Sequence, residues 1–335
     1  MATIIELIKN GTTDEAFLIK EIDERLPNDD EIGITIEAFG LNFAEVLART
    51  GNYPDCPPLP TTLGYEVIGR IKYVGKNVTD LKEGQRVVAI TNFNGYSNYV
   101  VQKPFAIHPI DEDINASVAL ALVVQYCTAY YCTHIAARIF ETDKILIHTA
   151  SNGVGIALIQ LCTLLNTEIY ATARNIEKLN TFKNNANIHL IDCCEENWFE
   201  NKHETFDFIF DNTGGSIYKK YISMLKKSGS VISYGSNALY AANETDSKMK
   251  TQMQYGMYHP LLLISESKSI IGVNLIHIGK NKPDVLNYCL EKVFELYNEK
   301  KIHPLIDESF HVSSFTDAQK KLEKRNTIGK ICIYW

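Results

Sequence analysis

The segment from Lys144 to Lys178 constrains this chain more than any other. Lys144-Ile-Leu-Ile-His148 reads as a buried strand, Thr149-Ala-Ser-Asn-Gly-Val-Gly155 as a tight glycine turn, and Ile156 to Leu165 as a helix apolar on nearly every face. A second strand, Glu168 to Ala173, runs straight into Arg174. A strand, a glycine turn and a helix in that order bring backbone N–H groups and the positive end of a helix to one point, where a pyrophosphate can sit.

The strict G-x-G-x-x-G spacing is not met, because Ala150 and Asn152 stand where the first two glycines would be. Asn is the next-best residue for a left-handed backbone, so the turn is expected to keep its form, with Gly153, Val154 and Gly155 at the phosphates. The same residues also suit an ordinary βα turn that needs two glycines for steric reasons. The second strand adds information. Dinucleotide sites that prefer NAD place an acidic residue about 20 positions past the turn, against the ribose hydroxyls. Here that region holds Ala173, Arg174 and Asn175, with Lys178 one helical turn on. Cations where a carboxylate would stand suit the 2′-phosphate of NADPH. Such a charge-assisted bond is worth about 1.5–3 kcal/mol, or one to two decades of cofactor preference. As a solvated surface cation, Arg174 would carry none of that preference.

The chain has 335 residues, enough for two domains, and its 45% hydrophobic content is that of an ordinary globular protein. A formal net charge of −7 argues against a nucleic-acid surface. No stretch reads as approaching the ~20 apolar residues of a membrane span, Val118–Val124 being too short. The N-terminus has no basic region leading into an apolar one. Eight cysteines include no C-x-x-C pair. A reduced, cytoplasmic protein is expected.

Residues 1 to about 110 read as all-β with many turns: Glu31–Ile36 alternates, Val67–Val74 is strand-like, and Gly84–Ile90 follows a turn. Asn115 to about Ile139 is helical, and strands then alternate with helices through Lys144–Thr149, Glu168–Ala173, His189–Ile191, Phe206–Phe210 and Ser230–Tyr234. That alternation implies a parallel sheet with helices on both faces. Asp284–Lys300 reads as an amphipathic helix with Val285, Tyr288, Cys289, Val293 and Leu296 on its apolar side. The last thirty or so residues return to short strands.

The order of motifs Gly40–Glu45, Gly51–Pro54, Gly64–Gly69, Gln125–Tyr130, Ala150–Gly155, Asp211–Gly215 and Gly272–Leu275 resembles the medium-chain dehydrogenase/reductase superfamily, in its zinc-free quinone oxidoreductase branch. Within that branch the chain is most similar to the vesicle amine transport protein group. The resemblance implies an α/β fold of two parts: a GroES-like β-rich catalytic domain over 1–120, and a Rossmann domain with a doubly wound parallel sheet over 121–280. Residues 281–335 then return to complete the first domain. Zinc-dependent relatives bind a metal through Cys, His and Cys; the matching positions here are Asn42, Tyr65 and Val124, none of them a usual zinc ligand. No Cys lies between Cys56 and Cys127, so the structural zinc lobe is missing as well. Cys127, Cys132 and His134, and the adjacent Cys193 and Cys194, read as packing residues.

Reductases of this superfamily pass a hydride from NADPH to an enone or a quinone, and negative charge develops on a carbonyl oxygen that needs a donor set in advance. The resemblance gives that role to Tyr53, with Asn42 offering an amide N–H. It puts Thr128, Asn212, Tyr234, Asn274 and Lys330 at the cofactor. Two departures stand out: Cys193 where a tyrosine often flanks the adenine phosphate, and Gln125 where Asn is usual before Tyr126. Ser236–Ser265, with Met249, Met253 and Met257 at helical spacing, reads as a lid over a small hydrophobic substrate or as ordinary helix packing. Ser269–Ile276 resembles the edge strand through which such proteins pair into homodimers. Two other readings stay open: an enoyl-thioester reductase on an acyl carrier, and an NADPH-binding structural or membrane-associated protein with little turnover.

Overall fold

Short runs of Ile, Val and Phe in the first hundred residues become the strands of one unit, and the later alternation of strand and helix becomes a second. The computed structural model describes residues 1–195, 197–200, 202–240 and 245–335. One unit comprises residues 1–127, 276–295 and 304–335, and the other residues 128–275 and 296–303.

In the first unit the main sheet runs in the order Ile306–His311, Lys330–Tyr334, Ile32–Leu41, Glu66–Val74, Arg86–Ile90, Ile107–Pro109, with Tyr99–Gln102 also paired to Ile32–Leu41. A smaller sheet joins Phe17–Ile22, Ala2–Leu7 and Thr61–Thr62. Glu31–Ile36, which reads as alternating, falls in and just before the central strand Ile32–Leu41, in which only Thr35 is exposed. Strands flank it on either side, so most of its side chains are shielded from water. Ile5, Leu7, Ile34, Phe39, Val67, Tyr96 and Phe315 form the core beside it. Each such aliphatic or Phe side chain contributes about 1.5–3 kcal/mol by leaving water. A short helix, Phe43–Arg49, begins at Asn42, whose N–H donates to the Glu45 carboxylate at 2.5 Å. This reciprocal use of a residue three positions on is a capping device, and the helix it starts corrects the all-β reading of this region.

In the second unit the sheet order is Ile188–Asp192, Glu168–Ala173, Lys144–Ile147, Phe206–Asp211, Leu225–Ser233, Ser269–Gly272, and every pairing is parallel. The chain builds outward in one direction from Lys144–Ile147, then returns past it to Phe206–Asp211. That reversal is the switch point beside which doubly wound sheets open a crevice at the carboxyl ends of their strands. Leu146, Phe206, Ile209, Tyr221, Leu225 and Val231 pack the core.

Three expectations change. The helix Ala116–Ala136 is 21 residues long and apolar enough, by length and composition, to cross a membrane, against the reading that no stretch came near that size. Its most apolar window is 67% buried in the protein, which accounts for its composition as that of a core helix. The helix Pro283–Asn298 buries Leu286, Cys289, Leu290, Val293 and Phe294, while Tyr288 is exposed. Its apolar face is therefore turned by about one residue, or roughly 100°, from the expected one. Of the span Ser236–Ser265, residues 241–244 lie outside the described residues; Met249, Met253 and Met257 are exposed, so they do not pack as a helix core.

Candidate active site

In the second unit the glycine turn follows the strand Lys144–Ile147 directly. Asn152 was expected to adopt the left-handed conformation. It is instead extended (φ −85°, ψ 168°) and caps the helix Gly153–Leu164, its Oδ1 accepting from Gly155 N–H at 3.0 Å. The left-handed residue is Thr149, at φ 54°. A β-branched residue rarely takes this region, and the surroundings hold it there. Thr149 N–H donates to Thr172 Oγ1 at 3.0 Å, Asn152 Nδ2 donates to the Thr149 carbonyl at 2.7 Å, and the Thr149 hydroxyl lies 2.5 Å from Asn212 Oδ1. Gly155 is required sterically: a Cβ there would come within 2.5–2.7 Å of the Ala150 backbone. Gly153 and Val154 sit in the first turn, where N–H groups have no intrahelical acceptor and can face an anion.

Arg174 follows the strand Glu168–Ala173 and is exposed, with Lys178 half-buried one turn later. The same turn also carries an exposed carboxylate, Glu177, which the count of cations had left out. Cys193 N–H donates to the Ala173 carbonyl at 3.1 Å, so the Cys193 backbone lies beside the end of that strand. The Asn212 side chain supports Thr149 as described. Tyr234 N–H donates to the Asp211 carbonyl at 2.9 Å, and burial raises the pKa of its phenol, which lies beside Asn152. Thr128 is buried, and Asn274 is half-buried just past the edge strand Ser269–Gly272.

Two buried titratable groups stand behind this turn. Burial lowers His148 to about 4, leaving a neutral imidazole at pH 7 that meets Thr172 Oγ1 at 2.9 Å and stacks on Trp198 at 5.4 Å. Burial raises Asp211 to about 6, opposed by donors from Thr213 N–H (2.8 Å), Gly214 N–H (3.0 Å) and the Tyr221 hydroxyl (3.0 Å). The backbone donors and the two cations fit a dinucleotide bearing a 2′-phosphate.

In the first unit a buried polar cluster joins residues far apart in sequence. Glu66 and Lys330 are fully buried and form a close ion pair. Lys330 Nζ also donates to Asn42 Oδ1 at 2.9 Å, and Asn42 Nδ2 donates to Glu66 Oε1 at 3.0 Å. The other Glu66 oxygen accepts from Val124 N–H at 2.8 Å. Two of the three positions matching zinc ligands, Asn42 and Val124, are thus tied to one carboxylate. Gly40 makes room for the pair, since a Cβ there would run into Glu66 Oε1 and the Lys330 chain. Burial pulls Lys330 down to about 8, opposed by Cys332 and Glu45 nearby. Glu45, also fully buried, is pushed up to about 7 by desolvation.

Tyr53 is half-buried, with its ring 6.1 Å from that of Tyr65, the third of the matching positions. Gln125 Nε2 donates to the carbonyl of Gly329, next to Lys330, at 3.3 Å. Among the described residues no group of three or more His, Cys, Asp or Glu is arranged to hold a metal ion. Cys127 and Cys132 are buried, and His134 stacks on Tyr130 at 4.2 Å.

Sequence reading gave no role to Glu66, Glu45 or Thr149. Part of the signal was available: Lys330 opens an otherwise apolar run, KICIYW, whereas Glu66 opens a strand that also carries Arg70 and Lys72. A lone charge at such a place needs a partner when buried.

Residues 28–128 match the alcohol dehydrogenase GroES-like domain, and residues 189–333 match the zinc-binding dehydrogenase family. The chain is 31% identical over 320 residues to the human synaptic vesicle membrane protein VAT-1 homolog-like, covering 92% of this chain and 75% of that protein. To the zebrafish synaptic vesicle membrane protein VAT-1 homolog it is 31% identical over 310 residues, or 90% of this chain but only 64% of the length of that relative. The crystal structure of the human VAT-1 homolog-like protein superposes with a TM-score of 0.84 at 26% identity, covering 100% of this chain and 98% of that one. The Escherichia coli quinone oxidoreductase complexed with NADPH shares the fold, with a TM-score of 0.84 at 22% identity over 99% of this chain and 100% of that one.

Proposed function

The chain belongs to the medium-chain dehydrogenase/reductase superfamily, among the VAT-1 homologues, and on that premise we propose that it is an NADPH-dependent, zinc-independent reductase of quinones or α,β-unsaturated carbonyls. The observation that carries this reading is the parallel-sheet turn of Thr149–Gly155 with Arg174 and Lys178 at the end of the neighbouring strand. Bound NADPH supplies a hydride from nicotinamide C4. Gly153, Val154 and Gly155 cradle its pyrophosphate, and Arg174 and Lys178 take the 2′-phosphate. Thr128, Asn212, Tyr234 and Asn274 line the remainder, with Asn212 acting through Thr149. Tyr53 donates a hydrogen bond to the substrate carbonyl oxygen as charge gathers there, then gives up its proton. Asn42 adds an amide N–H, and Lys330 serves by holding Asn42 rather than by touching cofactor.

NADPH consumption against a panel of quinones, enones and enoyl thioesters tests the reading, with Tyr53→Phe and Arg174→Ala alongside. The expected result is turnover on one class, at least tenfold lower in Tyr53→Phe with NADPH affinity intact, while Arg174→Ala weakens NADPH about tenfold more than NADH. Turnover on enoyl thioesters alone would make the substrate an acyl carrier's. Relatives named as synaptic vesicle membrane proteins favour a second reading, a cofactor-binding partner with little turnover; tight NADPH binding without turnover on any class would select it.

We also propose a homodimer through the edge strand Ser269–Gly272, because an unpaired edge beside the exposed Leu261, Leu262 and Ile264 is otherwise a liability. Light scattering should give twice the chain mass, and a monomer for Ile271→Lys; a wild-type monomer would end this idea.

A further inference from the structure

We propose that Glu66 and Lys330 are positioning residues that fix which way the Asn42 side-chain amide faces, and so where its remaining N–H points. This rests on the reading above, in which Asn42 serves the substrate.

The chemistry of the cluster allows only one orientation. An ammonium offers donors and no acceptor, and a carboxylate offers acceptors and no donor. Lys330 Nζ meets Asn42 Oδ1 at 2.9 Å, while Glu66 Oε1 meets Asn42 Nδ2 at 3.0 Å. Turning the amide by 180° would set N–H against ammonium and C=O against carboxylate, making both contacts repulsive. An amide among hydroxyls or waters, which both donate and accept, has no such preference. Here the ion pair reads the oxygen from the nitrogen, where water would read neither.

The pair is itself anchored. Glu66 Oε2 accepts from Val124 N–H at 2.8 Å, which ties it to the helix Ala116–Ala136. The Asn42 backbone is held separately, its N–H donating to Glu45 Oε2 at 2.5 Å. Gly40 leaves the space the pair occupies, and Gln125 holds the Gly329 carbonyl one residue before Lys330. With the backbone fixed, one Nδ2 proton committed to Glu66 and the oxygen held by Lys330, the second Nδ2 proton is the donor left to this side chain. A side chain locked in this manner loses no rotational freedom when it meets an oxyanion, which is the condition for electrostatic stabilisation without reorganisation.

The test is NMR of the full-length protein labelled selectively with 15N-asparagine, with the Asn42 side-chain pair assigned by its loss in Asn42→Ala. In wild type the two Nδ2 protons should give well-separated resonances, one of them protected from solvent exchange at least tenfold relative to exposed asparagines. Glu66→Gln, which keeps shape and removes charge, should abolish that protection and lower kcat at least tenfold, with Kd for NADPH unchanged. Lys330→Arg, which keeps a donor cation, should retain both signals. A wild-type Asn42 pair that exchanges like an exposed asparagine would overturn the proposal without any variant having to fold. So would a folded Glu66→Gln that leaves protection and kcat alone. If protection responds to Glu66→Gln while Asn42→Ala turns over normally, the clamp stands and Asn42's role toward substrate falls.

Discussion

The two units organise their chemistry by opposite means. The first relies on ionisable side chains withdrawn from water: Glu66, Lys330 and Glu45 are all fully buried, the first two holding the Asn42 side-chain amide and the third its backbone N–H. The second relies on backbone: first-turn N–H groups, a left-handed Thr149 and a glycine that admits no Cβ, with a neutral His148 behind them. A small reacting group needs one atom placed finely, which a charged clamp does. A long polyanion needs several donors spread along a curve, which a turn does. The first arrangement is sensitive to pH and to any added volume; the second is sensitive to backbone geometry.

The comparison would break most visibly at Gly40. Gly40→Ala should separate the buried pair and cost about 3–5 kcal/mol, read as a fall in the urea midpoint. An unchanged midpoint would mean that the first unit repacks around an added methyl, and that its charges are not tightly confined. The pH contrast is next. The folded-state pKa of Glu45 lies above its unfolded value, so the folded state keeps a proton that the unfolded chain releases. Stability contributed here is present below pH 4.5 and is lost as pH rises to about 7. Glu45→Gln keeps an oxygen for the Asn42 N–H, and should gain roughly 3 kcal/mol over wild type at pH 8 and nothing at pH 4. Equal stability at pH 8 would show that solvent reaches the carboxyl. The smallest effect belongs to the turn. Thr149→Val should cost about 1 kcal/mol by removing the nearer of two hydroxyl donors to Asn212 Oδ1, whereas Thr149→Gly should be near neutral, because relief of the left-handed strain offsets the same loss. Matching losses in thermal melts would show that the turn stores no strain.

The parallel sheet and its glycine turn were legible because local sequence makes them: strand, turn and helix are contiguous from Lys144 to Leu164. Which turn residue takes the positive φ was not, since propensity favoured Asn152. The hydrogen bonds of Thr172, Asn152 and Asn212 hold Thr149 there instead. The helix Phe43–Arg49 was missed for a related reason, its start being signalled by Asn42 and Glu45, both of which were read for chemistry or passed over. The rotated face of Pro283–Asn298 shows the limit of periodicity, which finds an amphipathic helix more readily than it chooses between adjacent stripes. Tyr53, Asn42 and Lys330 were named from the resemblance, but what holds Asn42 depends on Glu66, 24 residues away, and Lys330, 288 away. No local pattern encodes such a meeting.

That last separation has a bearing on how the molecule is made. Lys330–Tyr334 is inserted between Ile306–His311 and Ile32–Leu41, so the main sheet of the first unit stays open until residue 330 has been synthesised. The ribosome needs about 10–50 s to travel from Glu66 to Lys330. Throughout that interval the carboxylate lacks the Lys330 ammonium with which it pairs in the folded protein. Nearly all of the second unit, as the continuous stretch 128–275, emerges complete in the meantime. The nascent chain is therefore asked to finish its middle before its beginning, and to keep an acidic, half-built β-sheet from closing on the wrong edge while it waits.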